Sequence, residues 1–209
     1  MKNRVTILII GILFIIADLL YVIFNALNAY NIILLTIVYI PFVLIAYLNK
    51  GLLGKVLVIG FGALNTMGMI FGLVITIRNS FYYEETMEIV RYFIEVAIGI
   101  TLWVLMIISA FKVLKEKDNK GLNIVVFIFF VLYVLVQGVD IVITENAILK
   151  EGFVVFQTPE GEYLLKHQIL PFIKETLLSA LLVSYLIYAS QKKEEQPLLE
   201  KEESLWYYK

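Results

Sequence analysis

The chain has 209 residues, 61% of them hydrophobic, with a mean hydropathy of +0.88 and a formal net charge of −1. A soluble domain is about 45–50% apolar, so this composition points to one membrane domain. Cysteine is absent and histidine occurs once, at His167. Disulfides, thiolate metal sites, thiol redox chemistry and any histidine cluster within one chain are therefore excluded.

The N-terminus, MKNR followed by apolar residues, resembles the start of a signal peptide. Its apolar run is longer than a signal h-region and no A-x-A-like cleavage site follows, so it is read as a retained first span. A span requires roughly 20 mostly apolar residues. Six stretches meet that pattern: 5–26, 31–48, 55–77, 89–114, 122–144 and 169–190. The expected fold is all-α, a polytopic six-transmembrane-helix bundle in residues 1–191, followed by a charged cytoplasmic tail, 192–209. Short connectors make neighbouring helices antiparallel.

Pro41 in the second span suits a kink, and Pro171 suits a first helical turn. The third span carries small residues at helical spacing. Gly68 and Gly72 form a G-x-x-x-G pair, Gly60 lies in the same i, i+4 row, and Asn65 shares the face. Glycines so placed let another helix approach closely, and an amide beside them can bond across the contact. This stretch is expected to be the central helix of the bundle.

Lysine and arginine in the connectors set orientation. Lys2, Arg4, Lys50, Lys55, Lys112, Lys115, Lys117, Lys120, Lys192 and Lys193 fall on one side of a six-span chain. The other side mixes Arg78, Arg91, Lys150, Lys166 and Lys174 with seven glutamates between Glu84 and Glu162. Both termini are thus expected in the cytoplasm, at a bacterial cell membrane. An acidic dileucine pattern, Glu194 to Leu199, would mean an endolysosomal membrane in a eukaryote.

The last outer connector contains FVVFQ-TPEG-EYLLK, with Pro159 and Gly161 at turn positions. This predicts a small extracytoplasmic β-hairpin. A mobile loop is the plainer reading, because a lone hairpin is marginal in water. A weak repeat pairs IVRYFIE (89–95) with ILPFIKE (169–175), each ending on a glutamate.

The chemistry-bearing feature is an acidic set at one depth. Asp18, Glu95, Asp140 and Glu175 come from four different spans. At ~1.5 Å rise per residue, all four lie about 7–12 Å inside the outer boundary. A carboxylate at the bilayer centre costs about 2.5–3.5 kcal/mol on insertion scales, so such groups face a bundle interior or a wet cavity. The functional reading is an outward polar pocket lined by these four, with Arg91, Lys174 and Gln137 orienting a solute. Closely placed carboxylates also support proton coupling. The plainer reading is interhelical ion pairing and snorkelling near the interface.

Catalytic signatures are missing: no H-E-x-x-H, G-x-S-x-G, Walker A or Rossmann glycine pattern occurs. Glu84-Glu85 resembles the paired glutamates of intramembrane CAAX-type proteases, but the arginine spacing differs and His167 is expected in a loop. No cofactor, metal or nucleic-acid signal is present. Six spans in about 200 residues resemble the substrate-binding membrane subunits of vitamin importers, a likeness of plan that no residue motif carries. The expected function is binding or transport of a small polar solute. The alternative is a non-catalytic interaction protein (an assembly factor, immunity protein or accessory subunit) that uses the glycine face and tail against a membrane protein partner. An enzyme acting on membrane lipid ranks third, since no nucleophile or positioned histidine is evident.

Overall fold

The computed structural model describes residues 2–25, 32–48, 51–79, 86–115, 119–144 and 159–206. Within these, side chains are described except at 2, 3, 34, 79, 86–89, 140, 142–144, 159, 160 and 192–206. The described residues are helical nearly throughout, with no strand among them. The helices are α1 (Lys2–Phe24), α2 (Ile40–Leu48), α3 (Gly51–Asn79), α4 (Thr86–Leu114), α5 (Lys120–Thr144), α6 (Pro159–Leu164) and α7 (Leu170–Trp206). Wider π-helical turns, Leu34–Tyr39 and Leu165–Ile169, lead into α2 and α7.

Among the described residues five helices are long and apolar enough to cross a membrane: those containing Arg4–Phe24, Gly51–Arg78, Val90–Leu114, Lys120–Val139 and Gly161–Gln191. The segment expected as a second span is a shorter apolar helix, Leu35–Leu48. Described as helical over 32–48, this stretch is shorter than the other five. It nonetheless brings the chain back to its starting end. Arg4 Nε donates to Tyr188 Oη (2.6 Å), and Tyr185 Oη donates to the Gly51 carbonyl (3.3 Å). At the opposite end Asn25 Nδ2 donates to the Lys166 carbonyl (3.0 Å). Helix α1 is therefore antiparallel to α7, and Arg4, Gly51 and Tyr188 share one end of the bundle. Gly51 has a φ of +36°, a left-handed conformation that glycine adopts at little cost, and it turns the chain into α3.

The centre of the bundle is α7, not α3. Helix α7 packs on α1, α3, α4 and α5, and 44% of its most apolar stretch is buried against 11% for α3. Leu178, Leu181, Leu182, Val183, Tyr185 and Leu186 bring α7 into a core shared with Ile7, Phe14, Phe42, Trp103, Met106 and Tyr133. Edge-to-face and stacked rings link Phe14, Tyr39, Phe61, Phe42 and Tyr185, at centroid distances of 5.0–6.3 Å. Such pairs contribute about 0.5–1.5 kcal/mol each beyond area burial.

Helix α3 lies at the edge, packed chiefly on α4. The closest approach of these two runs over Gly62 and Gly99. A Cβ on Gly62 would stand 2.6 Å from the Ile107 side chain, and one on Gly99 the same distance from Met69. Gly60 and Gly68 face open space, while the Tyr92 hydroxyl lies over Gly72. Asn65 Nδ2 donates to its own helix, at the Phe61 carbonyl (2.8 Å). Gly60 and Gly68 thus point away from the bundle, and only Gly72 of the row meets α4. Spacing identifies a helix face but not the direction it takes, and here glycines two positions on make the internal contact.

The hairpin is also corrected. Residues 159–164 are α-helical and 165–169 continue as π-helical turns, so the stretch expected as the second strand is helical. Pro159 takes the first helical position, where its missing N–H costs nothing. Lys166 pairs with Glu162 one turn earlier, a spacing that only a helix brings together. Residues 153–157, the first expected strand, lie outside the described residues, and Pro159 to Gly161 of the expected turn are helical. His167 sits in the π-helical turn rather than a loop, exposed, with its ring 4.5 Å from that of Tyr163. The backbone of α7 continues through most of the expected tail, to Trp206.

Candidate functional site

Helix α7 places Lys174 and Glu175 side by side, and consecutive helical residues point about 100° apart. They therefore serve two different contacts. Lys174 turns towards α1, where its Nζ lies 2.6 Å from Asp18 Oδ1. Asp18 is only 1% exposed. The Lys174 ammonium also sits 4.5 Å from the Tyr21 ring centroid and 5.6 Å from that of Tyr39. The electron-rich ring faces stabilise the cation where water is scarce. Neither Asp18 oxygen has a donor in hydrogen-bonding geometry among the described residues. The aspartate is thus held by one ion contact inside the bundle.

Glu175 turns towards α5 and α4. Tyr133 Oη donates to its Oε2 (3.4 Å), and Gln137 Nε2 donates to Tyr133 Oη (2.8 Å) and to Glu95 Oε1 (3.0 Å). Tyr133 and Gln137 are one turn apart on α5, so a single helix face bridges two carboxylates from its two neighbours. The amide orientation is dictated by chemistry: only an N–H can face the Glu95 carboxylate, so Oε1 points elsewhere. That oxygen is buried and has no donor among the described residues. Glu175 is exposed, and Glu95 and Arg91 are half-buried.

Arg91 and Glu95, one turn apart on α4, open into a cleft of about 200 Å³ whose other walls are Ile94, Leu135, Val136 and Val139. Of the expected set, Glu95, Glu175, Arg91 and Gln137 thus gather at the α4–α5–α7 junction. Asp18 and Lys174 form a separate pair on the other side of α7. Asp140 belongs to α5, and its side chain lies outside the described residues. No three acidic or histidine side chains among the described residues converge to hold a metal ion.

A second polar cluster, at the Arg4 end, was not singled out from the sequence. Ser109 Oγ donates to Asn123 Oδ1 (2.9 Å) and Asn119 Nδ2 donates to Ser109 Oγ (2.6 Å). Asn123 Nδ2 reaches across to Ser190 Oγ (2.8 Å) on α7, and Ser190 Oγ in turn donates to the Ile187 carbonyl (2.7 Å). Ser109, Asn119 and Asn123 are all buried. The available signal was the i, i+4 spacing of Asn119 and Asn123 where α5 begins. Uncharged side chains near a span end carry no transfer penalty comparable to a carboxylate's, so composition and hydropathy do not mark them.

Comparison of the chain with family models, with curated proteins and with solved structures finds no match. The fold and site alone define its class: an all-helical protein with several apolar helices of membrane-spanning length and a charged polar junction near one end.

Proposed function

We propose that this is a multi-span membrane protein, with both termini in the cytoplasm, that binds or transports a small polar solute at the α4–α5–α7 junction. The observation that carries the reading is the cleft at Arg91 and Glu95, backed by the Gln137–Tyr133–Glu175 chain. The acidic groups at this junction are acceptors: the Glu95 carboxylate in the cleft wall and the Glu175 carboxylate behind it. They suit a solute bearing an amine or hydroxyl donor, and the Arg91 guanidinium in the same wall suits an acidic group on that molecule. Intramembrane carboxylates that face a cleft are the usual mark of a solute or proton path. The Asp18–Lys174 pair then supports α7 from behind and makes no contact with solute.

The test is native mass spectrometry of the full chain extracted in mild detergent from its own membrane. A retained small molecule that disappears in Glu95→Gln, with thermal unfolding unchanged, is the expected result. A retained molecule indifferent to both Glu95→Gln and Glu175→Gln would sink the assignment.

One observation favours the interaction reading. Gly60 and Gly68 have no neighbour within 4 Å, and Leu64, Met67 and Phe71 beside them are each 68% exposed. Small residues on a lipid-facing stripe let a partner helix approach. A second protein retained in the same spectra, and lost in Gly68→Leu, would move the assignment there.

A further inference from the structure

The larger cleft lies at the Arg4 end, between α5 and α7, with a volume of about 640 Å³. That is within the ~300–1,000 Å³ typical of ligand sites. Its lining is ordered along the helix axis. Lys120, Asn123, Ser190 and Gln191 form the outer part, and Ile124, Phe127 and Ile187 the inner part. Lys120 is the first residue of α5, and Phe127 lies about 10 Å further in at ~1.5 Å per residue. Headgroup zones occupy only the outer ~5–8 Å on each side of a bilayer. A lysine at headgroup level therefore sets Phe127 among acyl chains.

We propose that this cleft binds one anionic phospholipid, its phosphate at Lys120 and Gln191 and an acyl chain along Ile124, Phe127 and Ile187. Charge selects the class. Lys120 is exposed at the rim, and Arg4, bonded to Tyr188 one turn from Gln191, adds a second cation at the same level. Exposed Lys112 and Lys115, near the end of helix α4, mark the same lysine-rich side but do not line the cleft. Basic clefts between spans on the lysine-rich side suit acidic headgroups. Asn123 and Ser190 do not select the ligand, because their hydrogen bonds are spent on each other and on Ile187. They hold α5 and α7 at the separation that keeps the cleft open. The apolar floor distinguishes a lipid from a free phosphate, which gains nothing from it.

The full chain is reconstituted in vesicles of equimolar phosphatidylglycerol and phosphatidylcholine, extracted in mild detergent and weighed by native mass spectrometry. The expected spectrum retains one phosphatidylglycerol per chain in preference to phosphatidylcholine. Lys120→Gln lowers that retention about fivefold, the worth of one lysine at a membrane surface. Ile124→Trp, which fills the cleft and keeps the charge, lowers it similarly and covers the case of a misfolded Lys120→Gln. Lys115→Gln, outside the cleft, leaves it unchanged. Equal retention of the two lipids overturns the proposal. So does a Lys115→Gln loss as large as that of Lys120→Gln, which would mean diffuse attraction. Displacement of the lipid by inorganic phosphate overturns it as well, because the site would then take the free anion.

Discussion

The two polar clusters of this protein are both anchored on α7, at opposite ends of the bundle, and they are built from different chemistry. The cluster at the Arg4 end is neutral: two asparagines and two serines exchange hydrogen bonds in a buried group. The cluster at the Asn25 end is charged. It splits into a buried ion pair, Asp18–Lys174, and an accessible chain from Glu95 to Glu175. Neutral amides and hydroxyls cost little to bury once paired, so they serve as helix-to-helix ties. Carboxylates remain costly unless a cation or water meets them, so their presence marks either a lock or an opening. The charged end contains one of each.

Three substitutions break or sharpen this contrast. The largest effect is expected from Lys174→Ala, which strands the Asp18 carboxylate inside the bundle. Removing one partner of a buried pair costs about 3–5 kcal/mol, read as a large fall in Tm in detergent. Lys166→Ala, which removes an exposed one-turn pair with Glu162, should leave Tm nearly unchanged. Restoring neutrality with Asp18→Asn/Lys174→Gln should recover much of the loss. If Lys174→Ala unfolds like wild type, the pair is not a lock.

A smaller effect follows at the neutral end. Asn123→Ala removes the side chain that joins Ser109, Asn119 and Ser190, and should cost about 1–2 kcal/mol. Its Tm should not depend on salt, whereas that of an accessible charged contact should. A salt-dependent loss would contradict the neutral assignment.

The smallest effect is expected at the accessible chain. Gln137→Leu removes the bridge between Glu95 and Tyr133, and intramembrane hydrogen bonds of this kind are worth about 0.6 kcal/mol on average. Stability should hardly move, while retention of any small solute should fall sharply. A variant that unfolds yet keeps its solute would reverse the roles of the two halves of the charged end.

Helix content and the apolar stretches were legible in the sequence, because hydropathy and its periodicity determine them. Of the acidic set read at one depth, Glu95 and Glu175 are joined through Gln137 and Tyr133, while Asp18 pairs with Lys174 elsewhere. What spacing could not supply was direction around each helix axis. Gly62, rather than the Gly60–Gly68 row, packs on α4, and Lys174 and Glu175, adjacent in sequence, serve different neighbours. The second apolar stretch, read as a full span, is described as helical over 32–48, and the expected second strand of the hairpin is helical because Pro159 starts a turn that the Glu162–Lys166 pair continues.

The sequence by itself therefore determined an apolar, all-helical chain with charge concentrated at the ends of its helices. Only the tertiary structure decided that α7 is the centre and α3 the edge, which carboxylate is locked and which is open, and that the larger cleft lies at the lysine-rich end. The physical reason is that hydropathy measures transfer of a segment out of water and is blind to neighbours. In an apolar surround, the choice of neighbour rests on close packing and a few polar contacts between residues distant in sequence.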